Sequence, residues 1–278
     1  MFGFSLKNGR EARSRPAAAT GHDTACACPR ASTSPVKMVL FHGGKGGVGT
    51  TTLASEAAAI LAGSDRNVAA VDLDVCRGDL HYRLDVPVTR DTHTVSDLLP
   101  VIDDLDTRIL GNALSTCPCG ARILPAPTTH AAAAAIEPDH VRKVLVAMAA
   151  EFEHLIIDSS VADDRMISPA FDLAELVVLV VTPEIACLGG ARRALGQVVS
   201  QGGKRPDIAL VVNRSLGTSD AVSPAEIESF LQMPATVVLP EDTARCRRLA
   251  DEGRHVTSER SALGHGIYSL MRRLFTLR

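Results

Sequence analysis

The chain has 278 residues, 46% of them hydrophobic, which suits one large α/β domain or two small ones and excludes disorder throughout. No apolar run nears the roughly 18 residues of a spanning helix, the N-terminus lacks the apolar segment of a secretory signal, and seven scattered cysteines are no disulfide framework, so a cytoplasmic protein is expected. The net charge of −3 is unevenly spread: six Lys/Arg against two Asp/Glu in residues 1–37, eight against three in 245–278, and fifteen against twenty-seven in the body, which with no Trp and 3% aromatics argues against a nucleic-acid partner.

Residues 1–36 are rich in Ala, Arg, Ser, Thr and Pro without apolar periodicity, so they read as a flexible basic tail. From Lys37 the pattern changes. Seven short runs, KMVLFH, NVAAVDLD, ARILPA, HLIIDS, ELVVLVV, DIALVVN and ATVVLP, alternate with helical stretches at about 50–63, 138–151, 184–200, 224–232, 241–252 and 262–276. Alternation of this kind predicts parallel βαβ units, and strands as continuously apolar as LVVLVV need cover on both faces. The fold class expected for 37–278 is therefore α/β: a doubly wound, mostly parallel sheet with helices on both faces. The PAPTTHAAAAAIEP stretch, with its five successive alanines, stays unassigned between a helical turn and a small-residue surface.

After the first strand comes Gly43-Gly44-Lys45-Gly46-Gly47-Val48-Gly49-Thr50-Thr51-Thr52, followed by a helix from about Thr50. A glycine-dense turn from strand to helix lets successive N–H groups point inward, and the helix start adds about half a positive charge, so a polyphosphate can be held mainly by backbone. The spacing fits the P-loop template: Gly44 and Gly49 are five apart, and Thr51 stands where the Mg²⁺-binding hydroxyl belongs. One position departs from it, because Thr50 takes the place of the usual lysine. The ligands expected are a polyphosphate and Mg²⁺. Carboxylates that end apolar strands, Asp72, Asp74 and Asp158, suit a metal–phosphate site, although an aspartate there can also be a helix cap or a turn residue.

These residues resemble the deviant P-loop ATPases of the MinD/ParA class, marked by a signature lysine early in the loop, here Lys45. Within that class the chain is similar to the CpaE/TadZ family of Flp (tight adherence) pilus assembly proteins, several of which read KGGVGTTT, as here. The resemblance runs through VDLDVCRGDL, HTVSDLL, RILPAP, HLIIDSS, VVTPE, VVNR and LPED, over about 37–275. It implies a nucleotide-sandwich homodimer in which Lys45 crosses the interface to the partner's phosphates. Asp72 and Asp74 would form the switch I pair, with Asp74 orienting the attacking water, and Asp158 would be the Walker B carboxylate that reaches Mg²⁺ with Thr51. Asn213, beside Arg214, would read adenine through its amide, and Pro240 and Glu241 would lie in the loop over the base.

The class resemblance also supplies the partners: pilus or secretion machinery, at the inner face of the membrane or a cell pole. Family members usually carry a receiver-like domain ahead of the ATPase, for which 36 residues are too few. The absent loop lysine removes a charge from the γ-phosphate, so slow or no hydrolysis is expected unless Lys45 compensates in trans. Two further readings stand beside this one: a MinD- or ParA-like positioning ATPase for division or DNA partition, and a P-loop iron–sulfur carrier. The last is prompted by Cys26-Ala-Cys28 and Cys117-Pro-Cys119, which read first as incidental thiols, then as metal or cluster ligands and last as a redox switch. His42, beside the loop, reads as a packing residue. At the C-terminus, Ile267, Leu270, Met271 and Leu274 share one helical stripe, so residues 267–278 are either a core helix or an amphipathic membrane anchor.

Overall fold

The computed structural model describes residues 37–159, 164–200 and 205–275. The N-terminal tail, with Cys26 and Cys28, and the last three residues of the C-terminal segment lie outside them. Among the described residues eight strands make one sheet: β1 (Met38–Gly43), β2 (Val68–Asp72), β3 (Ser115–Thr116), β4 (Arg122–Leu124), β5 (His154–Ser159), β6 (Leu176–Val181), β7 (Asp207–Ser215) and β8 (Ala235–Pro240). Their order is β3-β4-β2-β5-β1-β6-β7-β8, parallel throughout except for the short β3–β4 pair. The doubly wound parallel sheet expected from the sequence is thus present. β3 is the addition, and its two residues are too few to show an alternation.

The helices are α1 (Thr50–Ala62), α2 (Leu80–Arg83), α3 (Thr107–Ala113), α4 (His130–Ala134), α5 (Pro138–Glu151), α6 (Asp164–Leu173), α7 (Ile185–Ser200), α8 (Pro224–Leu231), α9 (Thr243–Asp251) and α10 (Ala262–Leu274). All six predicted helices have a counterpart. Several starts carry readable capping chemistry, such as Ser223 with Glu226 and a Pro at the first position of α8. The alanine run resolves as α4, one helical turn held by the Thr129 side chain, which accepts from the Ala132 amide.

β2, β5 and β6 are buried along their whole length, which is why they read as unbroken apolar runs. α1 lies over β1, β2 and β5 and touches α10, while α5, α6, α7 and α8 form a second, contiguous row of packed helices. The apolar stripe of α10 faces the core: Ile267, Leu270 and Met271 are at most 1% exposed, and the helix packs on β8 and α1. That decides between the two readings of this segment in favour of a core helix. No helix among the described residues is long and apolar enough to cross a membrane.

Candidate functional site

β1 is the central strand, paired in parallel with β5 on one side and β6 on the other. The chain leaves it toward β2 on the first side and later returns to build β6, β7 and β8 on the second. Its C-terminal end is therefore the switch point of the sheet, where crevices form in open α/β folds. The Gly44–Gly49 loop starts there, and three contacts set its path. The Gly44 amide donates to the Val180 carbonyl at 2.9 Å. The Asn213 amide nitrogen donates to the Val48 carbonyl at 2.7 Å. α7 presses so closely on the loop that a Cβ on Gly190 would stand 1.7 Å from the Gly44 oxygen.

Gly47 and Gly49 have φ of 77° and 100°, the left-handed region that favours glycine, and a side chain on Gly49 would also meet Asn213 Nδ2 at 2.4 Å. Gly49 caps α1 without a side-chain hydrogen bond, and no acidic residue stands in the first turn. The helix start therefore offers its amides and the positive end of its dipole to a ligand anion. Gly46 and Gly47 are exposed and Val48 is fully buried, so the loop is anchored at its middle and open at its crest. Thr50 is 2% exposed, and its hydroxyl has no hydrogen-bond partner.

Beside the loop, Asp72 and Asp158 face each other across β2 and β5. The Asp72 carboxylate accepts from the amides of Asp74 and Leu80, each at 3.0 Å, and Asp74 accepts from the Arg77 amide at 3.2 Å. Burial pushes the Asp72 carboxyl up to about 7, above the ordinary carboxylate range. Asp158 is raised well above that range too, by burial first and then by the Asp72 charge, which a hydrogen bond from Thr51 offsets only in part. Its Oδ1 is buried without a partner. A fully buried carboxylate with an orphaned oxygen, beside the hydroxyl of Thr51, has a lone pair that a cation would satisfy, and hard oxygen ligands suit Mg²⁺.

Lys45 is turned away from these carboxylates and forms an ion pair with Glu184, just past β6. Glu184 also accepts from the Thr182 hydroxyl at 3.2 Å, and the hydrogen bond from Lys45 holds its carboxyl below the ordinary range. Sequence reasoning missed Glu184 as a partner, although it stands in the VVTPE segment already singled out. It likewise gave Asn213 only a base-reading role, whereas here one half of the amide braces the loop.

A cavity of about 630 Å³ opens next to the loop, lined among others by Gly49, Thr52, Asn213, Arg214 and Pro240. Five predicted ligand-binding residues thus meet in one space, whose charged lining also includes Arg83 and Arg247 and the carboxylates of Asp79, Asp85, Asp242 and Asp251. Asp72, Asp74, Asp158 and Lys45 are not in its lining; the aspartates sit at or just past the ends of β2 and β5, and Lys45 lies within the loop itself. Arg214 adopts a φ of 58° where β7 and β8 slip register, an unusual conformation for a residue with a side chain. Glu241 accepts from the Thr243 amide at the start of α9, so it shapes the rim rather than facing the cavity. His42 stacks edge-on against Phe171 at 5.2 Å, the packing role expected of it.

The strand order and the loop at its switch point place the molecule, by fold, among the MinD/ParA-like P-loop NTPases. A ParA family ATPase from Chlorobium tepidum superposes with a TM-score of 0.76 at 22% identity, covering 87% of this chain and 99% of the other. The septum site-determining protein MinD of Pyrococcus horikoshii, complexed with Mg-ADP, gives 0.73 at 23% identity, covering 86% and 95%. The chain belongs to the family of the cellulose biosynthesis protein BcsQ, whose model matches residues 36–198. It is also 28% identical over 207 residues to an uncharacterized ATP-binding protein of Methanocaldococcus jannaschii, across 73% of this chain and 74% of that one.

Proposed function

We propose that this protein is an ATP-binding localisation factor of MinD/ParA type: a nucleotide-sandwich homodimer, with slow or no hydrolysis, that positions an assembly at the cell envelope. The observation that carries it is the loop itself. Gly49 starts α1 with no side-chain cap, Thr50 is buried where a lysine would reach the phosphates, and Lys45 is the loop's one basic side chain, free to leave Glu184 for a second subunit.

In this reading the amides of Gly46, Gly47, Gly49, Thr50 and Thr51 hold the phosphates. Thr51, Asp158 and Asp74 would hold Mg²⁺. Asp74 positions a water, Asp72 fixes the Asp74 and Leu80 amides around it, and Asn213, Arg214 and Pro240 form the base pocket. Mg²⁺, when bound, supplies charge neutralisation at the phosphate oxygens. With no lysine at position 50 the charge that develops in hydrolysis is poorly matched, and turnover stays far below the median enzyme rate of about 10 per second.

For the assembly served, the KGGVGTTT and LPED segments favour pilus or secretion machinery of the Flp type. The BcsQ family match favours an exopolysaccharide-producing machine instead. A division or DNA-partition partner uses the same residues and differs only in what the dimer docks. Isothermal titration with Mg·ATP, followed by sedimentation with and without nucleotide, tests the core of the reading: ATP binds once per chain and drives a monomer into a dimer. Absence of ATP binding overturns it. Deleting the gene and scoring pili, cellulose and septum placement separates the three assemblies, and a salt-dependent DNA affinity would select partition.

A further inference from the structure

One motif plays no part in the nucleotide site. Cys117-Pro118-Cys119-Gly120 forms the tight turn between β3 and β4, closed by a hydrogen bond from the Gly120 amide to the Cys117 carbonyl at 2.9 Å and by one from the Cys117 amide to the Ala121 carbonyl at 2.8 Å. It precedes β4, so it lies at the opposite end of the parallel sheet from the Gly44–Gly49 loop. Cys117 is buried and Cys119 half-exposed, flanked by exposed Pro118 and Gly120. A β-turn keeps its ends within about 7 Å, so the two cysteines inside it fall in the Cα separation of roughly 4.4–6.8 Å that a disulfide spans.

The turn is not isolated. His255, from the segment after α9, sits against Cys119, and on its other side His255 Nδ1 lies 3.7 Å from Glu56 Oε1 in the middle of α1. Glu56 is 2% exposed and is held by the Val256 amide at 2.5 Å, the Thr257 amide at 3.1 Å and the Thr257 hydroxyl at 2.6 Å. A buried carboxylate thus orients a histidine against a half-exposed thiol, the chain of contacts by which a nucleophile is activated.

We propose that Cys117 and Cys119 are a redox-active dithiol, with Cys119 the nucleophile toward a hydroperoxide, Cys117 the resolving thiol and His255 the proton donor to the leaving oxygen. The charge balance agrees. The neighbouring Cys117 thiol, with help from His255, brings the Cys119 thiol down to about 4, whereas its closeness to Cys119 and burial push Cys117 up. Burial pulls His255 down, but Cys119 and Glu56 outweigh it and carry the imidazole to about 9. The titratable and charged groups around the pair are His255, Glu56 and, beside Cys117, Arg122.

The chemistry balances in two steps. The Cys119 thiolate attacks one peroxide oxygen, the O–O bond breaks, and the leaving hydroxide or alkoxide takes a proton from the His255 imidazolium, which leaves Cys119 as a sulfenic acid. Cys117 then attacks the Cys119 sulfur, the S–O bond breaks, and the departing hydroxide leaves as water with the Cys117 proton. Two thiols are oxidised to one disulfide and the peroxide is reduced, and an external dithiol reverses the change.

The test is iodoacetamide labelling of the full chain, read at Cys119 by peptide mass spectrometry. An ordinary thiol slows about tenfold per pH unit below its pKa, as Cys119 in the urea-unfolded chain will do. In the folded chain the rate at Cys119 should stay flat, within about twofold, from neutral pH down through mild acid. A hydroperoxide should then convert the peptide holding both cysteines to a form two hydrogens lighter, and Cys117→Ser should instead leave a dimedone-reactive sulfenic acid on Cys119. His255→Gln should bring back part of the pH dependence. A folded Cys119 that slows tenfold per unit like the unfolded one overturns the proposal, as does a wild-type sulfenic acid that never closes onto Cys117. The first labelling and the Cys117→Ser measurement stand even if the His255 variant fails to fold.

Discussion

At the scale of single residues, Asp158 concentrates the conflict that a ligand would relieve. A carboxyl buried to 1% with one orphaned oxygen raises the free energy of the ligand-free protein, and a cation would satisfy it. Asp158→Asn keeps the shape and removes the charge. The variant should therefore be no less stable than wild type without nucleotide, yet lose most of the stabilisation that Mg·ATP gives. Wild type at a hundredfold excess over Kd gains about 2.7 kcal/mol by linkage. Thermal melts with and without Mg·ATP decide it, and a variant that still shifts like wild type shows that Asp158 does not hold the metal. The loop glycines, Thr51 and the strand-end aspartates were legible in the sequence because each has a spacing dictated by chemistry. The Lys45–Glu184 pair was not, because a long-range ion pair leaves no local pattern, its partners being 139 residues apart.

At the scale of elements, the fit of α7 against the loop has no slack. The Cβ that alanine would add at Gly190 falls 1.7 Å from the Gly44 oxygen, so helix or loop must move. Overpacking of this sort costs about 1–3 kcal/mol. Because the displaced atoms begin the loop, Gly190→Ala should lower both the urea midpoint and the affinity for ATP. Unchanged ATP affinity in a destabilised variant would show that the loop is insensitive to α7. A second link ties α1 to the segment after α9 through Glu56 and His255. Burial pushes the Glu56 carboxyl up, but the ion pair with His255 and hydrogen bonds from Thr257 hold it below its ordinary value. His255 is raised to about 9, so its contribution is complete below its ordinary 6.5 and is lost as pH rises through 9; the Cys119 contribution is lost as pH falls through about 4. His255→Gln should therefore cost roughly 1.5–3 kcal/mol between those limits and little above them, read from urea melts across pH. Strands of five or six apolar residues and capped helices announced themselves in the sequence. The elements it did not yield were the one-turn α2 and α4, the two-residue β3, α3, and α6 with Pro169 inside it, which are too short or too interrupted for a period to register.

At the scale of the molecule, the sheet puts the loop, Lys45 and Glu184 at one end, and at that rim Ile185 is 74% exposed. A large apolar side chain left in water beside an ion pair suits a surface that a second copy covers, and Ile185 belongs to the same turn as Glu184. Lys45 has two demands on it. In the single chain it neutralises Glu184, a half-exposed pair whose worth in water is about 0–1 kcal/mol. In a sandwich dimer it would meet a partner's phosphates, where desolvation makes a charged contact stronger. If such a dimer forms, the weak tie would yield to the strong one only when nucleotide and a second subunit are both present. Lys45→Ala should leave Mg·ATP affinity in the monomer within about threefold of wild type, because the amides of the loop and the start of α1 are untouched. ATP-dependent dimerisation should weaken by an order of magnitude or more, as expected for a charged hydrogen bond of about 1.5–3 kcal/mol made once by each subunit. Sedimentation velocity across a concentration series with ATP gives the dimer constant, and titration calorimetry gives the monomer affinity. Equal dimerisation by wild type and variant would remove Lys45 from the interface and leave it a surface partner of Glu184, whereas a matching loss in both measurements would place it on its own subunit's phosphates.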